Sequence, residues 1–346
     1  MKNRIARGFG VTLIILLGLI LSVSAKDSQQ AIKWTNSAPL PEPRAGYAAG
    51  AINGKLVIVG GTYWEGVKGK WTKKQFTSST HAFDPSKQSW EKLPDAPVPL
   101  GYGASTVVGG KLFVLGGYNG SAVNRKIFTL EYVKGKYSWR TFGDMPGDRV
   151  FAEAVNVKNS IYLLGGLTQF EPVDSAGSCC TSSTATNSLL VFDTKKPKEG
   201  WKELPPYPGP KRWGFSVATD GESIWMFGGT FQANVSDPTT HFNEVLRYKI
   251  AQSSWEVSKP LPDSLAGSAG ATLFLKDDIL LIGGKQVWLL HLSNLKYSEM
   301  TPLPQVAFVT HFVWLKNEII GAGGENTIEG PRKRSEWTFI GRFVKK

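Results

Sequence analysis

Cysteine is almost absent from this chain of 346 residues: Cys179 and Cys180 are the only two, and they are adjacent. No disulfide framework can carry the fold, and no CxxC spacing offers a zinc site. The pair lies in the polar stretch DSAGSCCTSSTATN. Either the two thiols join in a strained ring, because neighbouring Cα atoms stand about 3.8 Å apart, below the usual disulfide range, or they stay free. Histidine is nearly as scarce. His81, His241, His291 and His311 are scattered, no two at metal-ligand spacing, so neither a metal nor a cofactor is expected. GxSxG is missing, which removes the common serine-hydrolase elbow. Long apolar runs are missing too. The only one, Val11 to Leu21, is broken by Gly18 and too short to span a bilayer comfortably. Lys2, Arg4 and Arg7 precede it and Val23-Ser24-Ala25 follows, the pattern of a cleaved secretory signal. Residues 1–25 are therefore expected to be a signal peptide and 26–346 the fold, in a periplasmic or secreted protein. No cysteine near the junction supports a lipid anchor, and no stable membrane anchor is expected after cleavage.

Acidic residues are outnumbered, 28 against 40 basic ones, for a formal charge of +12. The surplus never gathers into a long run; Arg332-Lys333-Arg334 is the densest cluster and reads as a solvated loop. Nucleic acid is not an expected partner. An acidic sugar or glycan is compatible with an exported basic protein.

What the chain does have is a phrase. LVIVGG ends at Gly61, LFVLGG at Gly117, IYLLGG at Gly166, IWMFGG at Gly229, ILLIGG at Gly284, and a weaker IIGAGG at Gly324. A glycine pair after a strand can cradle phosphate, but neither GxGxxG nor GxxxxGK followed by Ser or Thr continues from Gly61, where Thr62, Tyr63 and Trp64 come next. Six copies at intervals of 40 to 63 residues are instead a tandem array. Phe-Asp follows downstream at Phe83-Asp84 and Phe192-Asp193. A tryptophan precedes Leu-Pro at Trp90, Trp201 and Trp255.

On these glycine pairs, aromatic spacings and periods the chain resembles the kelch-repeat β-propellers. The resemblance implies an all-β fold: a six-bladed kelch-type propeller, each blade four antiparallel strands a to d with a innermost. In the first blade a is expected near 44–52, b near 55–61, c near 79–84 and d near 88–93. After the sixth glycine pair only SEWTFIGRFV (335–344) remains, one strand short, whereas AIKWTNSAPLP (31–41) has no blade of its own. Pairing the N-terminal strand with the C-terminal blade closes the ring and removes an exposed edge. The long, varied b-to-c loops then share one rim, where binding residues usually lie. They carry Tyr63, Trp64, Trp71, Phe170 and Phe231, while in blade 5 the glycine pair runs into KQVWLLHL and predicts a low wall. Galactose-oxidase-type kelch enzymes need two histidines, two tyrosines and a cross-linking cysteine around the axis, which the scattered histidines here do not supply.

Two registers carry candidate chemistry. Sixteen residues before the first glycine of each pair stand Arg44, Leu100, Arg149, Arg212, Gly267 and Ala307. Three arginines at one mouth can grip a carboxylate bidentately, or bond loop carbonyls of a neighbouring blade. Trp64 and Trp213 are the stacking faces assigned beside them. Twelve residues before the glycine stand Ala48, Ala104, Glu153, Ser216, Ala271 and His311. Blades 3 and 6 face each other in a six-membered ring, so Glu153 and His311 approach across the axis. They are either an acid–base pair or satisfied internal groups. An exported single-domain kelch propeller with a basic mouth is similar to the bacterial N-acetylneuraminate epimerase family, which implies exchange of sialic-acid anomers by a monomer. A glycan- or protein-binding kelch module without turnover remains the alternative.

Overall fold

In a computed structural model of the chain, six sheets of four antiparallel strands stand around one axis. The structure describes residues 30–67, 70–170, 184–234, 236–265, 267, 270–327 and 333–345. Residues 1–25, expected to be a signal peptide, Cys179, Cys180, Arg332 and the side chain of Trp71 lie outside the described residues. Blade 1 runs outward through Ala48–Ile52, Lys55–Val59, Thr80–Asp84 and Ser89–Leu93. The inner strands of the other blades are Ala104–Val108, Glu153–Val157, Ser216–Thr219, Ala271–Leu275 and Phe312–Leu315. Each b strand is sandwiched between neighbouring blades, so LVIV, LFVL and IYLL are buried throughout. This is why those strands read as unbroken apolar runs rather than alternating ones.

Blade 6 is assembled from both ends of the chain. Gln30–Asn36 lies outermost and pairs antiparallel with Thr338–Lys345. Of the segment expected there, only the first part is strand; Leu40 tucks into the core at the seam between blades 6 and 1.

The tryptophans of the outer strands have a single job. Each donates its Nε1–H to a carbonyl of the preceding blade. Trp90 reaches Ala38 O at 3.1 Å, Trp139 reaches Pro94 O at 2.9 Å, Trp201 reaches Asp144 O at 3.2 Å, and Trp255 reaches Pro205 O at 2.8 Å. In blade 5 the Tyr297 hydroxyl replaces the indole, 3.0 Å from Lys259 O. Trp34, from the N-terminal strand, completes the circle at Thr301 O, 2.9 Å away. Six donors thus girdle the ring, each adding about 1 kcal/mol of hydrogen bonding to the apolar area of its ring.

The glycine pairs clamp the inner side. Gly61, Gly117 and Gly324 donate their N–H to the carbonyls of Leu100, Arg149 and Arg44, each in the next blade, at 2.6, 2.8 and 2.9 Å. The glycine before each (Gly60, Gly116, Gly323) has φ between 65° and 70°. A Cβ there would stand inside 3.0 Å of that same carbonyl oxygen. Closeness and handedness together demand glycine.

The prediction compares two glycines with positive φ. Gly109, in a turn with nothing within 4 Å of its missing Cβ, should tolerate alanine at about 1 kcal/mol. Gly116→Ala must also push the Arg149 carbonyl away, and should cost about 3 kcal/mol or more. Urea unfolding of the two variants beside the parent measures the difference.

Candidate functional site: the axial channel

The six inner strands enclose a channel of about 410 Å³. Hydroxyl groups stitch its wall from blade to blade: Ser105 Oγ bonds the Ala49 backbone at 3.0 Å, and Thr106 Oγ1 donates to Asn156 Oδ1 at 3.2 Å. The Tyr47 phenol rivets blade 1 to blade 6 through Thr310 Oγ1 at 2.7 Å and the His311 N–H at 3.2 Å.

On the long-loop side the channel is stoppered. Just above the inner strands, Gly46, Tyr102, Phe151, Gly214 and Val309 share one register, and all five have φ between 51° and 67°. Their backbones bond around the axis: Gly46 N–H to Val309 O, Tyr102 N–H to Gly46 O, and Phe151 N–H to Tyr102 O, at 2.7 to 3.0 Å. The left-handed turn throws their side chains together. Tyr102 stacks on Phe151 with centroids 4.3 Å apart, Phe151 meets Trp213 at 5.2 Å, and Phe170 packs beside them. Val309 reaches this cluster from blade 6.

Glu153 and His311 both line the channel, two residues below Phe151 and Val309, or roughly 7 Å at strand rise. Neither the Glu153 carboxyl nor the His311 ring has a hydrogen-bond or ion-pair partner among the described residues; the imidazole only tilts against the Tyr47 ring at 5.6 Å. Both keep some exposure, but to a narrow space walled by protein. That desolvation pushes the Glu153 carboxyl up to about 8 and the His311 imidazole down to about 4. At neutral pH the blind end holds a protonated acid and a neutral base.

The arginine register turns out differently from the ligand-gripping expectation. Arg44 and Arg212 are fully buried. Arg44 donates to the carbonyls of Glu42, Gly60 and Ser79 and to the Glu42 carboxylate, at 2.7 to 3.1 Å. It also donates to His81 Nδ1 at 3.1 Å; burial first, and the guanidinium second, hold that histidine down to about 4. Arg212 bonds Pro210 O and Gly228 O, pairs with the Glu244 carboxylate at 2.5 Å, and lies 4.1 Å from the Phe242 ring centre. Arg149, partly buried, bonds Asp148 O at 2.7 Å and Ser188 Oγ at 3.3 Å. These guanidinium groups tie b-to-c loops to the mouths of the inner strands, and none lines the channel. Trp64 is also off axis. With Arg44, Glu42, Tyr63 and Lys333 it borders a separate rim cavity of about 640 Å³ between blades 1 and 6, which brings two of the expected site residues to one place, and Lys74 Nζ stands 5.2 Å from its ring centre. Trp213 does line the channel, its indole N–H buried and unbonded.

Sequence reasoning missed Phe151, Val309, Asn156, Phe274 and Trp314, all on the channel wall. The signal was available: the first two stand fourteen residues before their glycines and the last three stand nine before.

Residues 97–284, over half of the chain, match the KLHDC2/KLHL20/DRC7 Kelch-repeats domain, and residues 43–97 match the Kelch motif. The chain belongs to the kelch-repeat family. Beta-scruin of Limulus polyphemus is 26% identical to this kelch propeller over 198 residues, 57% of this chain and 20% of its own length. The N-acetylneuraminate epimerase of Vibrio cholerae is 34% identical over 100 residues, 28% of this chain and 26% of that protein. The matches therefore span a fifth to a quarter of those relatives. The solved structure of YjhT shares the fold with a TM-score of 0.67 at 17% identity, covering 87% of this chain and 95% of that one.

Two outcomes are expected. Arg212→Ala strands the Glu244 carboxylate and the Gly228 carbonyl, and should cost about 2–3 kcal/mol in thermal or urea unfolding. Glu153 keeps its proton in the folded state up to about 8, against an ordinary value of 4.5. The folded state therefore binds the extra proton between those values, and stability falls as pH rises through that window. Glu153→Gln removes the effect, so its melting temperature should exceed the parent's by more at pH 8 than at pH 5, equivalent to about 1–3 kcal/mol.

Proposed function

We propose that this kelch propeller acts on carbohydrate in its axial channel, exchanging the anomers of a sugar, with N-acetylneuraminate the first candidate. One observation carries the reading: a carboxyl group and an imidazole, neither with a hydrogen-bond or ion-pair partner among the described residues, share the blind end of one channel, and burial there favours the neutral form of each. Anomer exchange needs that combination. The His311 imidazole takes the proton of the anomeric hydroxyl while the Glu153 carboxyl gives its proton to the ring oxygen. The bond between anomeric carbon and ring oxygen breaks, leaving an open-chain carbonyl. After rotation about the adjacent bond, the ring hydroxyl adds to the other face and both protons return. No redox change or leaving group is involved, so no cofactor is called for.

The acidity of the sugar is the finer part of the proposal and rests on the partial similarity to N-acetylneuraminate epimerases. With the arginines engaged elsewhere, a carboxylate would find a neutral donor on this wall in the Asn156 amide. The export signal read at residues 1–25 fits action outside the cytoplasm. The second reading is a glycan- or protein-binding kelch module without turnover, supported by the Kelch-repeats match over residues 97–284; arginines bonded within the rim weaken acidic recognition in either case.

Saturation-transfer NMR on N-acetylneuraminate separates the two. General acid–base help is worth about 10²–10⁴-fold, so Glu153→Gln should slow exchange by that order with binding nearly intact, and His311→Ala should do so less strongly. The parental rate should be highest between pH 4 and 8, falling above as Glu153 ionises and below as His311 protonates. Binding without any acceleration over buffer would leave the module reading in place.

A further inference from the structure

The channel has two ends, and only one is stoppered. The cluster of Tyr102, Phe151, Phe170, Trp213 and Val309 closes the side carrying the long loops. At the opposite side, where short turns join the inner strands to their neighbours, the last ring of wall residues reads Ala51, Val107, Asn156, Thr219, Phe274 and Trp314. Two of the six are large aromatics, and both are 37% exposed. Among the described residues only Tyr63 and Tyr132 are aromatics as exposed as these two, and neither lines the channel. They come from blades 5 and 6, which are neighbours, so both apolar faces stand on the same part of the mouth. Trp314 is braced from behind by Phe343, 6.0 Å away.

Across the axis from blade 6 stands blade 3, which contributes Asn156. Its Oδ1 accepts from Thr106 at 3.2 Å, which orients the amide and leaves the NH₂ able to donate. Thr219 is different: its hydroxyl donates to Ser223 O at 2.8 Å and accepts from the Gly221 N–H at 3.0 Å. The mouth therefore has two aromatic faces opposite a single free amide, with small residues between them. Flat apolar faces opposed by a fixed polar donor suit a ligand with C–H groups on one side and hydroxyl or amide groups on the other, which a sugar ring has and an apolar ligand lacks. From Asn156 to Glu153, and from Trp314 to His311, is three residues, roughly 10 Å at strand rise. That span and the channel volume match one monosaccharide with its reacting carbon at the blind end.

We propose that the sugar enters from the short-turn face, opposite the rim that carries the long loops, and that Phe274, Trp314 and Asn156 hold its distal end there. They are positioning residues for the chemistry assigned to Glu153 and His311, and the proposal rests on that reading of the channel. It moves the entrance to the side of the propeller where the connections between inner strands and their neighbours are shortest.

The test uses N-acetylneuraminate as probe, with binding followed by saturation transfer and anomer exchange by the same instrument. Trp314→Ala and Phe274→Ala, both at exposed positions, should each weaken binding about 5- to 10-fold and raise KM in parallel, while exchange at saturating sugar stays near the parental rate. A residue that only supported the fold would lower kcat and the melting temperature instead. Ala51→Trp, which fills the mouth, should abolish binding. Tyr63→Ala, on the other rim, should change nothing. If the parent binds but does not exchange, and the mouth variants lose binding, the entrance stands and the mutarotase reading falls. If the parent exchanges and the mouth variants bind and exchange as it does, or if Tyr63→Ala is the variant that weakens binding, the entrance is overturned and the mutarotase reading stands. If the parent binds no sugar, both are overturned.

Discussion

A backbone carbonyl passing close over a glycine is the contact on which the rest of this propeller depends. Where Gly60 and Gly61, Gly116 and Gly117, or Gly323 and Gly324 follow a b strand, the chain turns left-handed so that the next blade's carbonyl can seat on the second glycine's N–H. No side chain intervenes, so the blades approach as closely as backbones allow. The channel's shape follows from that. The residue whose carbonyl is seated lies sixteen positions before the next glycine pair, which fixes the depth of every residue on the following inner strand. Glu153 stands four residues after the clamped Arg149, and His311 stands four after Ala307, whose N–H donates to Gly284 O at 3.1 Å, so both reach the same level.

The arginines show how a rigid inner frame is joined to variable loops. The carbonyls of Arg44 and Arg149 belong to the frame, and each of the three guanidinium groups reaches outward to what the local b-to-c loop offers: Ser79 for Arg44, Glu244 for Arg212, Ser188 for Arg149. A planar five-donor group can satisfy different acceptors without moving its stem, so one residue type serves loops of very different length. This accounts for their burial and for their absence from the channel.

The architecture was legible because its signals are local and periodic. The glycine pairs, the outer tryptophans and the unmatched strands at the two ends each recur or complement one another in plain sequence. Two members of the girdle were harder to see: Trp139 is not followed by Leu-Pro, and Tyr297 replaces the indole with a phenol. The site was legible in part. Register placed Glu153 and His311 on the axis, but it could not tell a guanidinium facing solvent from one caged by carbonyls, because that depends on the loop each one meets. Nor could it foresee the stopper. Tyr102, Phe151 and Val309 are poor candidates for a left-handed backbone, and only the ring of hydrogen bonds around the axis makes them adopt it.

The seam in blade 6 bears on how the chain folds. Thr35 and Ile340, which meet there, are 305 positions apart. At a synthesis rate of about 5–20 residues per second, the first strand waits roughly 15–60 s for its partner to exist. Throughout that interval Gln30–Asn36 is an unpaired strand with Ile32 and Trp34 uncovered, the kind of edge that recruits other chains. Five blades can stack in order as they emerge, each on the one before. The sixth can pair only its two inner strands until Thr338–Lys345 is made, and ring closure is then a single late event that protects the remaining edges at once.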